Sequence, residues 1–293
     1  MIPLDLLQPA LEAFAAGDLP ASLALCRRAA VIDPASLVLA AAVPYLERVL
    51  DHGKQGVYVT GEAFGAFVRG GGNVRLYRAT SAALAAGYAD LPAAARLLDV
   101  GVGDGLALLP ALDAHVGTVT LIEPSAPMLA ATAAALAARG IAHEAFHGTL
   151  QSFSRARPAE RWHLAEATFS LQSIPAAERG PLLAWLRRAS PRLLMVEFDV
   201  PRFASTLARE RVRHVVERYE RGLAEYAGDG GVVAQGFLMP VMFGYFDPTR
   251  DRTNEEQPIE AWIEDLRAAG FTRVERRRLD AYWWADAWLI DAR

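Results

Sequence analysis

The run Arg96-Leu-Leu-Asp-Val-Gly-Val-Gly-Asp-Gly105 leaves this chain few folds to choose from. Leu97, Leu98 and Val100 read as a buried strand that stops at three glycines spaced two apart, Gly101, Gly103 and Gly105. An apolar helical pattern follows at once and predicts a helix over 106–116. Strand, glycine turn and helix in that order place backbone N–H groups and a helix N-terminus at the carboxyl edge of a sheet, where anions and nucleotides bind well. Each glycine allows a positive φ or a backbone approach that a Cβ would block. Turns of this kind also arise for packing alone.

Two neighbours sharpen the reading. Asp99 sits two residues before Gly101, and a second strand, Val119–Glu123, ends in an acid 22 positions after Gly101. An acid on that strand tip can hold a pair of ribose hydroxyls. Nicotinamide-binding chains share it, but their third glycine comes five residues after the first, whereas here it comes four after. The spacing, with Asp99 in front, resembles the class I S-adenosylmethionine-dependent methyltransferases of the small-molecule type. A second match lies near the end: Pro258-Ile-Glu-Ala-Trp-Ile-Glu-Asp-Leu-Arg-Ala-Ala-Gly-Phe271 resembles the last helix of that family, which closes in an Ala-Gly-Phe turn before an antiparallel hairpin. The resemblance covers about 91–201 and 257–293.

From Arg96 the pattern alternates as a doubly wound sheet should. Strands are predicted at 96–100, 119–123, 142–147, 163–169 and 192–200, with helices over 106–116, 125–139 and 177–189. A helix over 259–269 and strands at 273–279 and 287–291 complete it. The expected fold is α/β, a doubly wound Rossmann-like methyltransferase sheet with an N-terminal helical/lid segment, 1–90, and a methyltransferase domain, 91–293, carrying a substrate-capping insertion, 202–256. Residues 4–50 read as a helical pair rather than as one unit of a repeat, because no second copy is present. Residues 51–90, broken by glycines, read as a lid or linker, with a helix starting near Val74. The insertion holds a charged helix, 207–226, a glycine break and an aromatic stretch, 235–247.

The resemblance implies site roles. Gly101, Gly103 and Gly105 would lie against S-adenosyl-L-methionine, and Asp99 would orient their loop or reach the amino group. Glu123 would bind the ribose, and Pro124 and Met128 would flank the adenine, although Met128 also fits ordinary core. Asp104 reads either as a cofactor contact or as a solvated turn residue. Tyr77 and Arg78 are candidates for the methionine end; a ring packed under a loop and a surface arginine are the other reading. The acid that usually follows strand three is missing from His147-Gly-Thr-Leu-Gln151, which leaves Thr149 and Leu150 as adenine contacts. Phe169 and Ser170, at the end of strand four, would face the transferred methyl. That stretch has neither the histidine of many O-methyltransferases nor the Asn/Asp-Pro-Pro-aromatic motif of amide methylases. Either a base comes from elsewhere, or the acceptor needs none. His214 and Tyr245, in the insertion, are the catalytic candidates; a histidine inert on its helix and aromatics that merely seal the insertion are the alternatives.

Composition excludes several classes. With 30 basic and 34 acidic residues the formal charge is −4, and Arg276–Arg278 reads as a solvated strand edge, so no nucleic-acid partner is expected. The single cysteine, Cys26, cannot form an internal disulfide and fits a reducing compartment. No basic leader and no apolar run of about 20 residues is found, so a soluble, cytoplasmic chain is expected, with no membrane partner and a homodimer left open. No His/Cys/Asp cluster has metal spacing. The expected activity is methyl transfer to a small aromatic or apolar acceptor, with secondary metabolism as its setting. A fold member using the cofactor for a non-methylating reaction, and a catalytically silent binding or regulatory subunit, are the competing readings.

Overall fold

The computed structural model describes residues 4–54, 61–249 and 254–293. Gly56 of the expected lid and residues 250–253 of the insertion lie outside them. The chain divides into two compact units: one holds Arg75–Pro201, Thr253–Ala281 and Ala285–Arg293, the other Met1–Val74, Arg202–Arg252 and Tyr282–Trp284.

The first unit is built on a seven-stranded sheet. Its strands are β1 (Ala95–Val100), β2 (Val116–Glu123), β3 (Ala142–His147), β4 (Leu164–Thr168), β5 (Leu193–Phe198), β6 (Val274–Ala281) and β7 (Asp286–Ala292). Their order is β3-β2-β1-β4-β5-β7-β6, with β7 antiparallel to both neighbours and the other pairings parallel. Alternation sends Leu98, Val100, Leu193 and Met195 to one face, under α8 (Leu150–Ala156), α9 (Ala176–Ala189) and α12 (Ile259–Ala268). Leu97, Val119, Leu121 and Leu164 go to the other, under α5 (Gly71–Tyr88), α6 (Leu108–Ala111) and α7 (Ala126–Ala138). Arg276–Arg278 lie exposed on β6, the sheet's edge, where charge blunts unwanted pairing.

Three expectations are corrected. The helix over 106–116 shrinks to the single turn of α6. Pro110 lies inside it, and the Asp113 carboxylate accepts from the His115 N–H at 2.8 Å, an Asx turn that ends it and lets β2 start at Val116. The segment over 51–90 holds two helices among its described residues, α4 (Gly61–Arg69) and α5, whose Ala83, Leu84 and Tyr88 join the sheet's core instead of forming a lid. The two compact units divide inside α5, between Val74 and Arg75. Helix α8 was not expected; Thr149 and Ser152 form a reciprocal cap at its start.

The second unit is helical. Its N-terminal part is three helices, not a pair: α1 (Leu4–Ala15), α2 (Leu19–Ile32) and α3 (Leu37–His52). The insertion supplies α10 (Arg209–Glu225), a π-helical turn (Ala234–Leu238) and α11 (Met239–Gly244). Glu220 on α10 accepts from the Leu37 and Val38 N–H groups and from Ser36 Oγ, so a carboxylate meets the positive end of α3. Phe243 packs against Phe14 and Tyr45, with centroids 4.8 Å apart in both pairs. Among the described residues no helix is long and apolar enough to cross a membrane.

Candidate active site

The glycine loop leaves β1 with Gly101, Gly103 and Gly105 all at positive φ, 72°, 57° and 75°. Their reasons for being glycine differ. A Cβ on Gly101 would meet Ser170 Cβ at 2.5 Å, and one on Gly105 would meet Leu109 at 2.8 Å and Thr132 at 3.1 Å. A Cβ on Gly103 would meet nothing within 4 Å. Two glycines thus serve close packing, and one faces open space.

Four of the loop's amides are spoken for. Gly101 and Val102 donate to Ile122 O, Gly105 to Val102 O, and Gly103 to Glu123 Oε2 at 2.9 Å. With these N–H groups committed and α6 only four residues long, the loop is not the anion cradle that its sequence predicts. Glu123 is nearly buried at the tip of β2; its other oxygen accepts from the Ser125 N–H at 2.8 Å. A carboxylate has about four lone-pair positions, so each oxygen keeps one after these bonds. Thr132 Oγ1 donates to Gly103 O at 2.9 Å and secures the loop from α7.

On the β4 side, Phe169 adopts φ +54°, a left-handed conformation costing about 1–2 kcal/mol for a residue with a Cβ. That turn brings Ser170 against Gly101, where Ser170 Oγ donates to Val100 O at 2.6 Å. The Phe169 ring stacks on Phe198 at 4.6 Å and meets the edge of Tyr77 at 6.2 Å. Burial first, then the nearby Asp104 carboxylate, pushes the Tyr77 hydroxyl up to about 12. Tyr77, Asp104, Phe169 and Ser170 are thereby gathered beside the three glycines. Phe198 completes the ring cluster; a phenylalanine ending a buried strand run carried no signal of its own.

Other expected positions fare differently. Asp99 is 2% exposed and turned into the sheet beside Glu166, so its carboxylate does not reach outward. Leu150 is buried in the core, which removes its side chain as an adenine contact; Thr149 is exposed but occupied as the cap of α8. Pro124 is exposed, with His147 Nε2 3.0 Å from its carbonyl oxygen, and Met128 is half-buried.

His214 and Tyr245 belong to the helical unit. His214 lies between the Phe203 and Trp284 rings, at 5.4 and 5.9 Å, and its buried Nε2 has no hydrogen-bond partner. Burial, reinforced by Arg218 and Arg221, lowers its pKa to about 4, below the range of a base working near neutrality. Tyr245 stacks on Trp284 at 5.3 Å and 8°. Met239, Met242, Phe243 and Phe246 are fully buried seals, while Phe237 stays half-exposed against Phe67 at 4.3 Å. Among the described residues no group of three or more His, Cys, Asp or Glu could hold a metal.

Strand order, antiparallel β7 and glycine loop together define the class I S-adenosylmethionine-dependent methyltransferase fold. No family model and no curated protein matches the sequence. Solved structures do. The CMeT domain of the citrinin polyketide synthase is similar at TM-score 0.56 and 15% identity, over 92% of this chain and 68% of that one. The magnesium protoporphyrin IX methyltransferase of Synechocystis PCC 6803 with bound SAH is similar at TM-score 0.50 and 14% identity, over 79% of this chain and 92% of that one. Against a longer protein of Nostoc punctiforme PCC 73102 the TM-score is 0.49 at 10% identity, and the chain spans 57% of that protein's length while 75% of this chain is covered.

Proposed function

We propose that this protein transfers a methyl group from S-adenosyl-L-methionine to a small aromatic or apolar acceptor. The observation that carries the reading is the pairing of Gly103 with Glu123. The glycine whose missing side chain faces open space is tied by its own N–H to Glu123, the acid proposed to take ribose hydroxyls. The amides of Gly101, Val102, Gly103 and Gly105 are committed, which suits a cation flanked by a nucleoside better than a pyrophosphate.

When bound, the cofactor supplies a methyl carbon already activated by the sulfonium charge, which leaves the protein chiefly the task of placement. Glu123 would accept from the ribose hydroxyls with its spare lone pairs. Gly101, Gly103 and Gly105 would let the backbone lie along the cofactor, with Pro124, Met128 and Thr149 toward the adenine. Tyr77 and Phe169 would form an apolar wall that keeps water out, and Asp104 would lie at the methionine end. The Ser170 hydroxyl is committed to Val100 O, and no imidazole or carboxylate lies between 169 and 173. This supports an acceptor nucleophilic enough without a base, an amine or an electron-rich carbon, over one whose base comes from elsewhere. His214, its pKa lowered to about 4, is not assigned the part of a general base. Secondary metabolism remains the proposed setting.

A labelled-methyl assay against amines, phenols and electron-rich aromatics tests this. Transfer to amine or carbon acceptors is expected. Binding of S-adenosylhomocysteine with no transfer to any acceptor would favour a silent subunit.

A further inference from the structure

The sheet unit buries a polar cluster that the proposed chemistry does not use. Asp99 and Glu166 are register partners on the adjacent parallel strands β1 and β4, and both side chains lie on the α5 face. Glu166 is fully buried and Asp99 almost so. Tyr88, near the end of α5 and also fully buried, donates its hydroxyl to Glu166 Oε2 at 2.5 Å. Asp99 Oδ1 and Glu166 Oε1 are buried with no hydrogen-bond partner. The groups that act on the cluster from the packed elements are Tyr88 on α5, Glu123 on β2 and Asp113 in the turn before β2, all of them acidic.

Two carboxylates side by side in a dry site cannot both carry charge without a cation; a retained proton turns the contact into a hydrogen bond. We infer that Asp99 and Glu166 form a proton-bearing acid pair, capped by Tyr88, in which Glu166 and Tyr88 act as positioning residues for the glycine loop. The pair sits where position matters. Asp99 is two residues before Gly101, and Glu166 three before Phe169, whose left-handed turn sets Ser170 on Val100 O and against Gly101. Losing the last proton places two like charges across that junction and forces the ends of β1 and β4 apart.

Burial raises Glu166 to about 7 and holds Asp99 well above the usual carboxylate range. A carboxyl raised in the folded state gives stability that is present at low pH and lost as pH rises through the folded value. Glu166→Gln copies the protonated acid: its amide N–H can donate to Asp99 while its oxygen accepts from Tyr88.

Melting of the free protein is measured from pH 5 to 9 for the parent, Glu166→Gln, Glu166→Ala and Tyr88→Phe. Calorimetric affinity for S-adenosylhomocysteine is measured at pH 6 and 9. The parent's midpoint is expected to fall through neutral pH and that of Glu166→Gln to fall less. The parent's affinity is expected to drop on the order of threefold or more toward pH 9, Glu166→Gln to hold its affinity, and Glu166→Ala to be weak at both pH values. Tyr88→Phe is expected to weaken binding at pH 6. A Glu166→Gln melting slope equal to the parent's overturns the pair. A carbon-13 titration of the parent's carboxyl groups tests the pair independently if Glu166→Gln does not fold: both acids ionised at pH 6 overturns it. The affinity arm rests on the proposed cofactor, but melting and titration do not. A parent that fails to bind the ligand while melting as expected would sink the cofactor reading alone.

Discussion

Gly103 and Ala94 show how single backbone positions divide between ligand and stability. An alanine at Gly103 keeps a φ of +57°, costing about 1 kcal/mol, but meets no protein atom. We expect Gly103→Ala to melt only a few degrees lower and to bind S-adenosylhomocysteine at least about tenfold more weakly, since its methyl occupies the face the ligand needs. Calorimetry showing unchanged affinity would remove Gly103 from the site. Ala94, exposed just before β1, holds φ +56° with no such purpose visible. Ala94→Gly should raise stability by about 0.5–1 kcal/mol in urea unfolding, relief of the left-handed strain outweighing the added freedom of the unfolded chain. His214 gives a kinetic counterpart. With its pKa near 4, the pH–rate profile should show no limb near 6.5 that disappears in His214→Ala. At this scale the sequence disclosed Glu123, because an acid ending an apolar strand stands out. It did not disclose Glu166, an acid amid small residues whose partner is 67 positions away, or the left-handed turn at Phe169.

Elements carry the second level of control. The turn over Leu171–Ser173 after β4 is held from both sides. Glu197, buried on β5, accepts from the Gln172 N–H at 3.2 Å. Arg179 on α9 donates to the Ile174 carbonyl at 2.8 Å, and to those of Gln172 and Glu255, with its guanidinium 4.4 Å over the Trp262 ring. Burial raises Glu197 to about 8 against the pull of these donors. A raised carboxyl binds its proton more tightly in the folded state, so its contribution is complete at low pH and is lost as pH climbs from the ordinary carboxylate range through about 8. Glu197→Gln should therefore flatten the fall of the melting temperature between pH 5 and 8; an undiminished slope would show that Glu197 is not the group responsible. Strand positions were legible because buried parallel strands read as apolar runs closed by turn residues. Helix α6 was misjudged because the apolar spacing around Leu108 continues past Pro110 and the Asx turn at Asp113, which stop it.

At the scale of the whole molecule, sequence order conceals the grouping. The first 74 residues and the 202–252 insertion form one compact unit, although the sheet strands β1 to β5 separate them in the chain. The α/β alternation made the sheet readable, since the crossovers from β1 to β2, β2 to β3 and β4 to β5 each return to a neighbouring parallel strand. Residues of the insertion gave no comparable pattern: whether its aromatics seal a core or stay accessible depends on which long-range partners they find. Met242 and Phe243 found a core, and Phe237 remained half-exposed. A nucleoside-sized site built on Gly103 and Glu123 is what the proposed chemistry requires of the whole fold. The most direct test is calorimetric titration of the parent and of Glu123→Ala with S-adenosylhomocysteine and, separately, with NAD. The parent should bind S-adenosylhomocysteine and ignore NAD, and Glu123→Ala should lose at least about tenfold in affinity, the share of two carboxylate hydrogen bonds. Binding of NAD in its place, or an alanine variant as tight as the parent, would contradict it.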